Sequence, residues 1–165
     1  MANIKLTRVD FRLIHGQIIT KWRGVFGINK IVVIDDILAA DDFMIRVYSS
    51  AVPVGTKVKV YSEEKALRLW NKNQFGENAE VLVLFKDIET CDRVIRAGVG
   101  LREVQLGGVP QTAERRLIRK AVFLGAKEMG LVCGLHDELG VSFSVQVVPE
   151  DSKMGYDEIL KIYQN

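Results

Sequence analysis

Ile4-Lys5-Leu6-Thr7-Arg8-Val9-Asp10-Phe11-Arg12-Leu13-Ile14-His15-Gly16-Gln17-Ile18 is the stretch on which the fold turns. Its first part, Ile4 to Val9, is an apolar run of strand character. After Gly16, Ile18, Ile19, Trp22 and Phe26 recur at helical spacing and Gly27 supplies a stop, predicting a helix from about Gly16 to Phe26. His15 therefore stands where a strand hands over to a helix, a kind of turn that exposes side chains. The first amides of a helix lack internal partners and carry the positive end of the macrodipole, and Arg8 and Arg12 add fixed charge, so the turn suits an anion. Cations and a positive dipole end disfavour imidazolium, so the ring is expected to be neutral and able to attack phosphorus. Arg12, Arg8, Asp10 and Gly16 are the candidate phosphate-stabilising residues around it. A surface histidine in an ordinary strand-to-helix loop, with its arginines in water, has the same spacing.

Outward from this stretch, short apolar runs alternate with longer helical patterns. That predicts an α/β fold with a single open, mainly parallel sheet, helices on both faces and the active loop after strand 1. Ile31 to Ile34 is an unbroken apolar run, as expected of a strand covered on both faces, and Asp35-Asp36 ends it. Asp41 or Asp42 is placed to cap a helix carrying Met44, Ile45, Val47 and Tyr48. The carboxylates in this region could suggest a magnesium site, but capping and turn chemistry explain them more simply, and no metal is expected. Asp35 and Asp36 are kept as possible rim residues.

Lys57 to Tyr61 alternates, which places that strand near an edge, and Ser62 is a cap for the next helix, whose Trp70 is assigned to the core. Val81 to Phe85 is a strand, followed by the cap Asp87 and a helix through Val94 and Ile95 that Gly98 and Gly100 close. Glu103 to Leu106 is a further strand leading into Gly107-Gly108. Two glycines there either let backbone amides approach a ligand or form a plain tight turn. In open parallel sheets ligands sit outside the carboxyl ends of the strands, so the His15 loop and possible rim residues Gly107 and Gly108 are expected to share one rim. From Glu114 to Gly140, Gly125, Gly130 and Gly134 interrupt the helical pattern. Arg115, Arg116, Arg119 and Lys120 form a basic cluster, either a solvated face or a docking surface. His136 is assigned a structural role near a helix C-terminus. Val141 to Val148 is a last strand stopped by Pro149, and Asp157 to Tyr163 a terminal helix with Ile159, Leu160 and Ile162 packing back.

With 165 residues, 48% hydrophobic and 27% charged, the chain fits one domain, residues 1–165, with a substantial core. A net charge of +2 without a dense basic run gives no basis for nucleic-acid binding, so any positive field must be local. No apolar stretch approaches the roughly 20 residues that cross a bilayer, and Met1 to Lys5 lacks the apolar core of a signal peptide, so a cytoplasmic location is expected. Cys91 and Cys133 form no Cys-x-x-Cys pair and are expected to be buried thiols without a disulfide or zinc.

Arg8-Val9-Asp10-Phe11-Arg12-Leu13-Ile14-His15-Gly16-Gln17-Ile18, followed by Trp22, resembles the signature of enzyme IIB of the mannose/fructose/sorbose family of the bacterial sugar phosphotransferase system. Asp35-Asp36, Ala51-Val52-Pro53, Gly107-Gly108 and Gln146-Val147-Val148-Pro149 fall in the order that family shows. Phe11 departs from it, standing where an acidic residue is common. The resemblance favours a strand over Leu117 to Leu124. It implies that His15 is phosphorylated by an enzyme IIA donor, separate because no IIA domain fits in this chain. It also implies that the phosphate passes to a sugar held by membrane IIC/IID subunits, with which the chain would associate peripherally. No cofactor or nucleic acid is implied, and a homo-oligomer is left open. The rival reading is a regulatory or anion-binding module on the same fold, in which His15 never carries covalent phosphate.

Overall fold

A computed structural model describes residues 1–165. Strand β1 (Asn3–Asp10) enters the loop that holds His15. The chain is then helical from residue 16 to residue 26, as a π-helical stretch Ile18–Trp22 continued by α1 (Arg23–Phe26) and ended by Gly27 at φ 62°. There follow β2 (Lys30–Ile34), α2 (Asp36–Ala39), α3 (Asp42–Ala51), β3 (Lys57–Tyr61), α4 (Glu63–Asn73), β4 (Glu80–Phe85), α5 (Ile88–Ala97) and β5 (Glu103–Gly108). The last part comprises β6 (Arg116–Arg119), β7 (Val122–Leu124), α6 (Ala126–Leu139), β8 (Ser142–Val145), β9 (Met154–Gly155) and α7 (Tyr156–Gln164). The capping residues read from the sequence close their helices: Asp35 accepts from the Leu38 amide, Asp41 from Met44, Ser62 from Lys65 and Asp87 from Thr90.

The sheet runs β3-β2-β4-β1-β5-β8-β9, and all its pairings are parallel except β8 with β9. The apolar runs of β2 and β4 occupy its interior, where Ile31 to Ile34 and Val81 to Phe85 have no exposed surface. One face packs Ile18 and Trp22 of the first helix with Tyr48 and Val52 against Ile31, Val33, Leu82 and Leu84. The other packs α4, α5, α6 and α7 against Val32, Val83, Leu106 and Val145. The chain leaves β1 to build β2 and β3 on one side, returns to β4, and crosses β1 to build β5 and β8 on the other. Such a reversal in an open parallel sheet is where ligands bind, outside the carboxyl ends of the strands, and here it falls at the carboxyl end of β1.

Four expectations change. Leu117 to Leu124 is an antiparallel hairpin of β6 and β7, not one strand, because Lys120 turns the chain at φ 48°. The last long strand stops at Val145, since the carbonyls of Gln146 and Val147 turn inward to accept from Arg8. Cys133 is only half-buried, whereas Cys91 is buried. Gly130 and Gly134 do not break α6, which runs unbroken from Ala126 to Leu139. His136 has the structural role expected, with Nδ1 on the Val141 carbonyl at 3.0 Å and its ring stacked on Tyr156 at 3.7 Å. No helix is long and apolar enough to cross a membrane.

Candidate functional site

Alternation along β1 turns Arg8 toward the face covered by the first helix, where its guanidinium lies 5.3 Å from the Trp22 ring centroid. Arg8 is wholly buried, and every one of its N–H groups is used inside the protein. Nε and Nη2 donate to Asp10 Oδ2 at 3.3 and 3.1 Å, Nη1 donates to Gln105 Oε1 and the Gln146 carbonyl, and Nη2 donates also to the Val147 carbonyl at 3.0 Å. Trp22 Nε1 donates to that same Val147 carbonyl at 3.2 Å.

Asp10 is the hub. Beyond it the chain turns back through Leu13, held at φ 56° with its amide on the Asp10 carbonyl at 2.9 Å. Leu13 is a strained non-glycine, at a cost of about 1–3 kcal/mol, anchored by burying its side chain. The turn returns Arg12 to Asp10, whose Oδ1 accepts from the Arg12 amide and Nε at 3.1 and 2.9 Å and whose Oδ2 accepts from Nη2 at 3.0 Å. His15 Nε2 lies 3.1 Å from Asp10 Oδ2. Burial by itself would raise the Asp10 pKa, but hydrogen bonds from His15 and Arg12 and the charge of Arg8 outweigh it and hold the carboxyl well below the usual range. Against this carboxylate the proton belongs on Nε2, while Nδ1 accepts from the Gln17 amide at 3.3 Å. The hydrogen bonds thus select the neutral Nε2–H tautomer with its lone pair on Nδ1.

The open side of the cluster comprises the partly exposed His15 ring, the Nη1 of Arg12, which has no protein partner, and Gly16, around which an added Cβ would meet nothing within 4 Å. A neutral imidazole nitrogen and a free guanidinium N–H at a helix start can receive a small anion or act on it. No group of His, Cys, Asp and Glu is placed to hold a metal ion.

The model of the sorbose subfamily IIB component of the PTS system matches residues 4–165. The chain belongs to this family. It is 36% identical to manxB from Thermoanaerobacter tengcongensis, whose crystal structure superposes with a TM-score of 0.89 over 100% of this chain and 99% of that one. The IIBSor domain of the sorbose permease from Klebsiella pneumoniae is 31% identical, with a TM-score of 0.85 over 96% of both chains. The fructose-specific EIIB component of Bacillus subtilis is 30% identical over 98% of both.

In this IIB chain the other residues singled out by sequence have definite places. Gly107 and Gly108 lie on the rim beside β1, where Gly108 pairs with Asp10, but they do not present amides to a ligand from a turn. A Cβ at Gly107 would fall 1.9 Å from Arg8 Cζ, and one at Gly108 would fall 2.6 Å from Asp10 Oδ1, so both glycines make room for the ion pair. Asp35 and Asp36 end β2, with β4 between them and β1, and their carboxylates hold the amides of Leu38 and Glu63. Phe11 is partly exposed, with the Arg12 guanidinium 5.7 Å from its ring centroid.

Gln105 was not singled out by sequence, and Gln146-Val147 only as a segment in family order, without a role for its carbonyls at the site. A polar residue inside the buried run Val104-Gln105-Leu106 was the available signal for the first, since β5 sets Gln105 opposite Arg8. The basic cluster is largely engaged. Arg115 binds buried Glu128, Arg116 and Arg119 hold the Tyr163 and Ser152 carbonyls, and Lys120 pairs with Asp151.

Proposed function

We propose that this IIB chain carries a phosphoryl group on His15 Nδ1, taken from the phosphohistidine of a IIA donor and passed to a sugar bound by membrane IIC and IID partners. The observation that carries the reading is the pairing of His15 Nε2 with Asp10, which leaves the Nδ1 lone pair directed away from the carboxylate. In the first transfer the Gln17 amide gives up its hydrogen bond to Nδ1, which bonds to phosphorus as the bond from phosphorus to the donor ring nitrogen breaks, and the donor nitrogen keeps that electron pair. The Nε2 proton stays on the ring, where Asp10 offsets the positive charge that phosphorylation places on it. Arg12 Nη1 and the amides at the helix start take the phosphoryl oxygens, supplying preorganised charge where negative charge accumulates. In the second transfer a sugar hydroxyl oxygen bonds to phosphorus as the bond from phosphorus to Nδ1 breaks, Nδ1 regains its lone pair, and the hydroxyl proton passes to a base of the sugar-binding partner or to water.

Arg8, with no free N–H, acts one step back by fixing Asp10. Mass spectrometry at alkaline pH, after incubation with phosphorylated IIA donor, is expected to find phosphate on His15, and nitrogen NMR of the ring is expected to assign it to Nδ1. His15→Ala should abolish acceptance, with the fold retained because this loop side chain adds little to the core, whereas His136→Ala should retain it. Phosphate on the His15→Ala variant would sink the proposal.

A further inference from the structure

Away from the His15 rim, cations without acidic partners gather on the edge of the sheet formed by β3 and α4. Lys57 and Lys59 project from edge strand β3, and register sets Lys30 of β2 beside Lys57. Lys65, Arg68 and Lys72 are spaced three and four residues apart on α4, so they share one helical stripe. That stripe faces β3, since Lys65 Nζ lies 5.3 Å from the Tyr61 ring centroid, while Glu63 on the other side of α4 binds Arg93 of α5 at 2.9 Å. Elsewhere Lys5, Lys21, Arg96, Arg115, Lys120 and Lys127 meet carboxylates, and the cations that do not, such as Arg46, Lys86, Arg102, Lys153 and Lys161, are spread over other elements and loops. Lys30 reaches only the Phe75 carbonyl, and burial first, then the charges of Lys59 and Lys57, lower its pKa, so these charges share one field.

Beside them the turn Pro53–Thr56, with Gly55 at φ 93°, holds Val54 fully exposed at the foot of β3. Lysine on an edge strand also blocks unwanted strand pairing, which accounts for Lys57 and Lys59. It does not account for the helical stripe or for Val54. The exposed acids of the segment, Glu64 and Glu77, are outnumbered by the cations.

We infer that the β3–α4 edge is a docking surface for an anionic phospholipid bilayer, bound through lysine ammonium groups on headgroup phosphates and the apolar tip at Val54. The choice of lipid over an acidic protein rests on the surface itself. It is dominated by lysines, which bind phosphate as hydrated point charges rather than by the planar fork that arginine offers a particular carboxylate. No exposed aromatic anchor of the kind that concentrates binding in protein interfaces lies on β3 or α4, and the projecting Val54 side chain suits an interface with acyl chains. Docked by this edge, β1 stands three strand spacings, about 14 Å, above the surface, so the His15 rim remains clear of lipid. This inference adds a lipid contact to the carrier reading but does not depend on it.

Flotation of the whole chain with vesicles tests the inference. Binding is expected to equimolar phosphatidylglycerol and phosphatidylcholine at low ionic strength but not to phosphatidylcholine alone. It should be lost at about 1 M salt, where the Debye length is about 3 Å. Each neutralised cation should weaken binding about fivefold, so Lys57→Gln, Lys59→Gln, Lys65→Gln and Lys72→Gln together should abolish it. The same number of glutamines placed at the distant cations Arg102, Arg116, Lys153 and Lys161 should weaken it far less. Val54→Trp should show a blue-shifted emission with the anionic vesicles only.

Equal losses in the two glutamine sets, or no binding to anionic vesicles, would overturn the inference. The latter is also the result expected if the edge serves an acidic protein. Acceptance of phosphate by the glutamine variants from a soluble donor is expected to be unchanged, so the lipid contact and the carrier reading fail separately.

Discussion

Asp10 and Glu128 are both buried carboxylates held by an arginine and both accept a backbone amide, yet only one of them is joined to a histidine. Glu128 receives Arg115 and caps the start of α6 through the Gly125 amide, and there its contacts end. Asp10 receives Arg8 from below, then passes its order outward to His15 and Arg12, each of which keeps one nitrogen free of other side chains. The difference is that the Asp10 pair continues into a histidine ring and an unpartnered guanidinium N–H, whereas the Glu128 pair fastens the start of a helix.

The largest effect that would break the comparison is on folding. Asp10→Ala leaves the Arg8 charge buried and unpaired, and about 3–5 kcal/mol should be lost in urea unfolding. Glu128→Ala should lose less, about 1–3 kcal/mol, because Arg115 is partly exposed and water can replace its partner. Equal losses at the two sites would erase the distinction. Gly107→Ala tests the same hub from the other side. With 1.9 Å between the new Cβ and Arg8 Cζ the guanidinium must move, so stability should fall by several kcal/mol, about 3 or more. Gly16→Ala, with open space around it, should stay within about 0.5 kcal/mol. Any larger loss of phosphoryl transfer at Gly16 would then report close approach of a partner or phosphate.

Arg12→Lys sharpens the outward side of the hub. The planar fork that binds Asp10 and leaves Nη1 free is lost, so transfer measured by stopped flow should slow roughly ten- to a hundredfold, about 1.5–3 kcal/mol, with the fold retained. Acid supplies a milder probe. Because the Asp10 carboxyl is held below its unfolded value near about 4, the stability it contributes is complete above that pH and is lost as pH falls through the folded value. The deficit of Asp10→Asn relative to the unaltered chain should therefore be constant from neutral pH to about pH 4 and shrink below it, as read from urea midpoints. The smallest effect belongs to Arg116→Glu, which breaks a carbonyl contact and a ring contact to Tyr163 at the exposed end of α7. Stability should change by less than about 1 kcal/mol. A large fall in the association rate with the donor would return this cluster to the docking surface.

Strand and helix order was legible because its signals are local. The apolar runs of β2 and β4, the caps Asp41, Ser62 and Asp87 and the stop at Gly27 act within a few residues, and each stands where its chemistry puts it. The hairpin of β6 and β7 was harder, since it depends on Lys120 entering a left-handed turn that no glycine announces.

At the site, sequence determined the turn, the histidine and the nearness of two arginines. It did not determine what the arginines do, because that depends on groups far along the chain. Gln105 and the Gln146 carbonyl, 97 and 138 residues from Arg8, meet it only when β5 and β8 assemble beside β1. Once they do, burial and a full set of acceptors confine Arg8 to holding Asp10, while Arg12 keeps a free N–H. An arginine's charge is written in the sequence, but whether any of its donors remains for a ligand is settled by the packing around it.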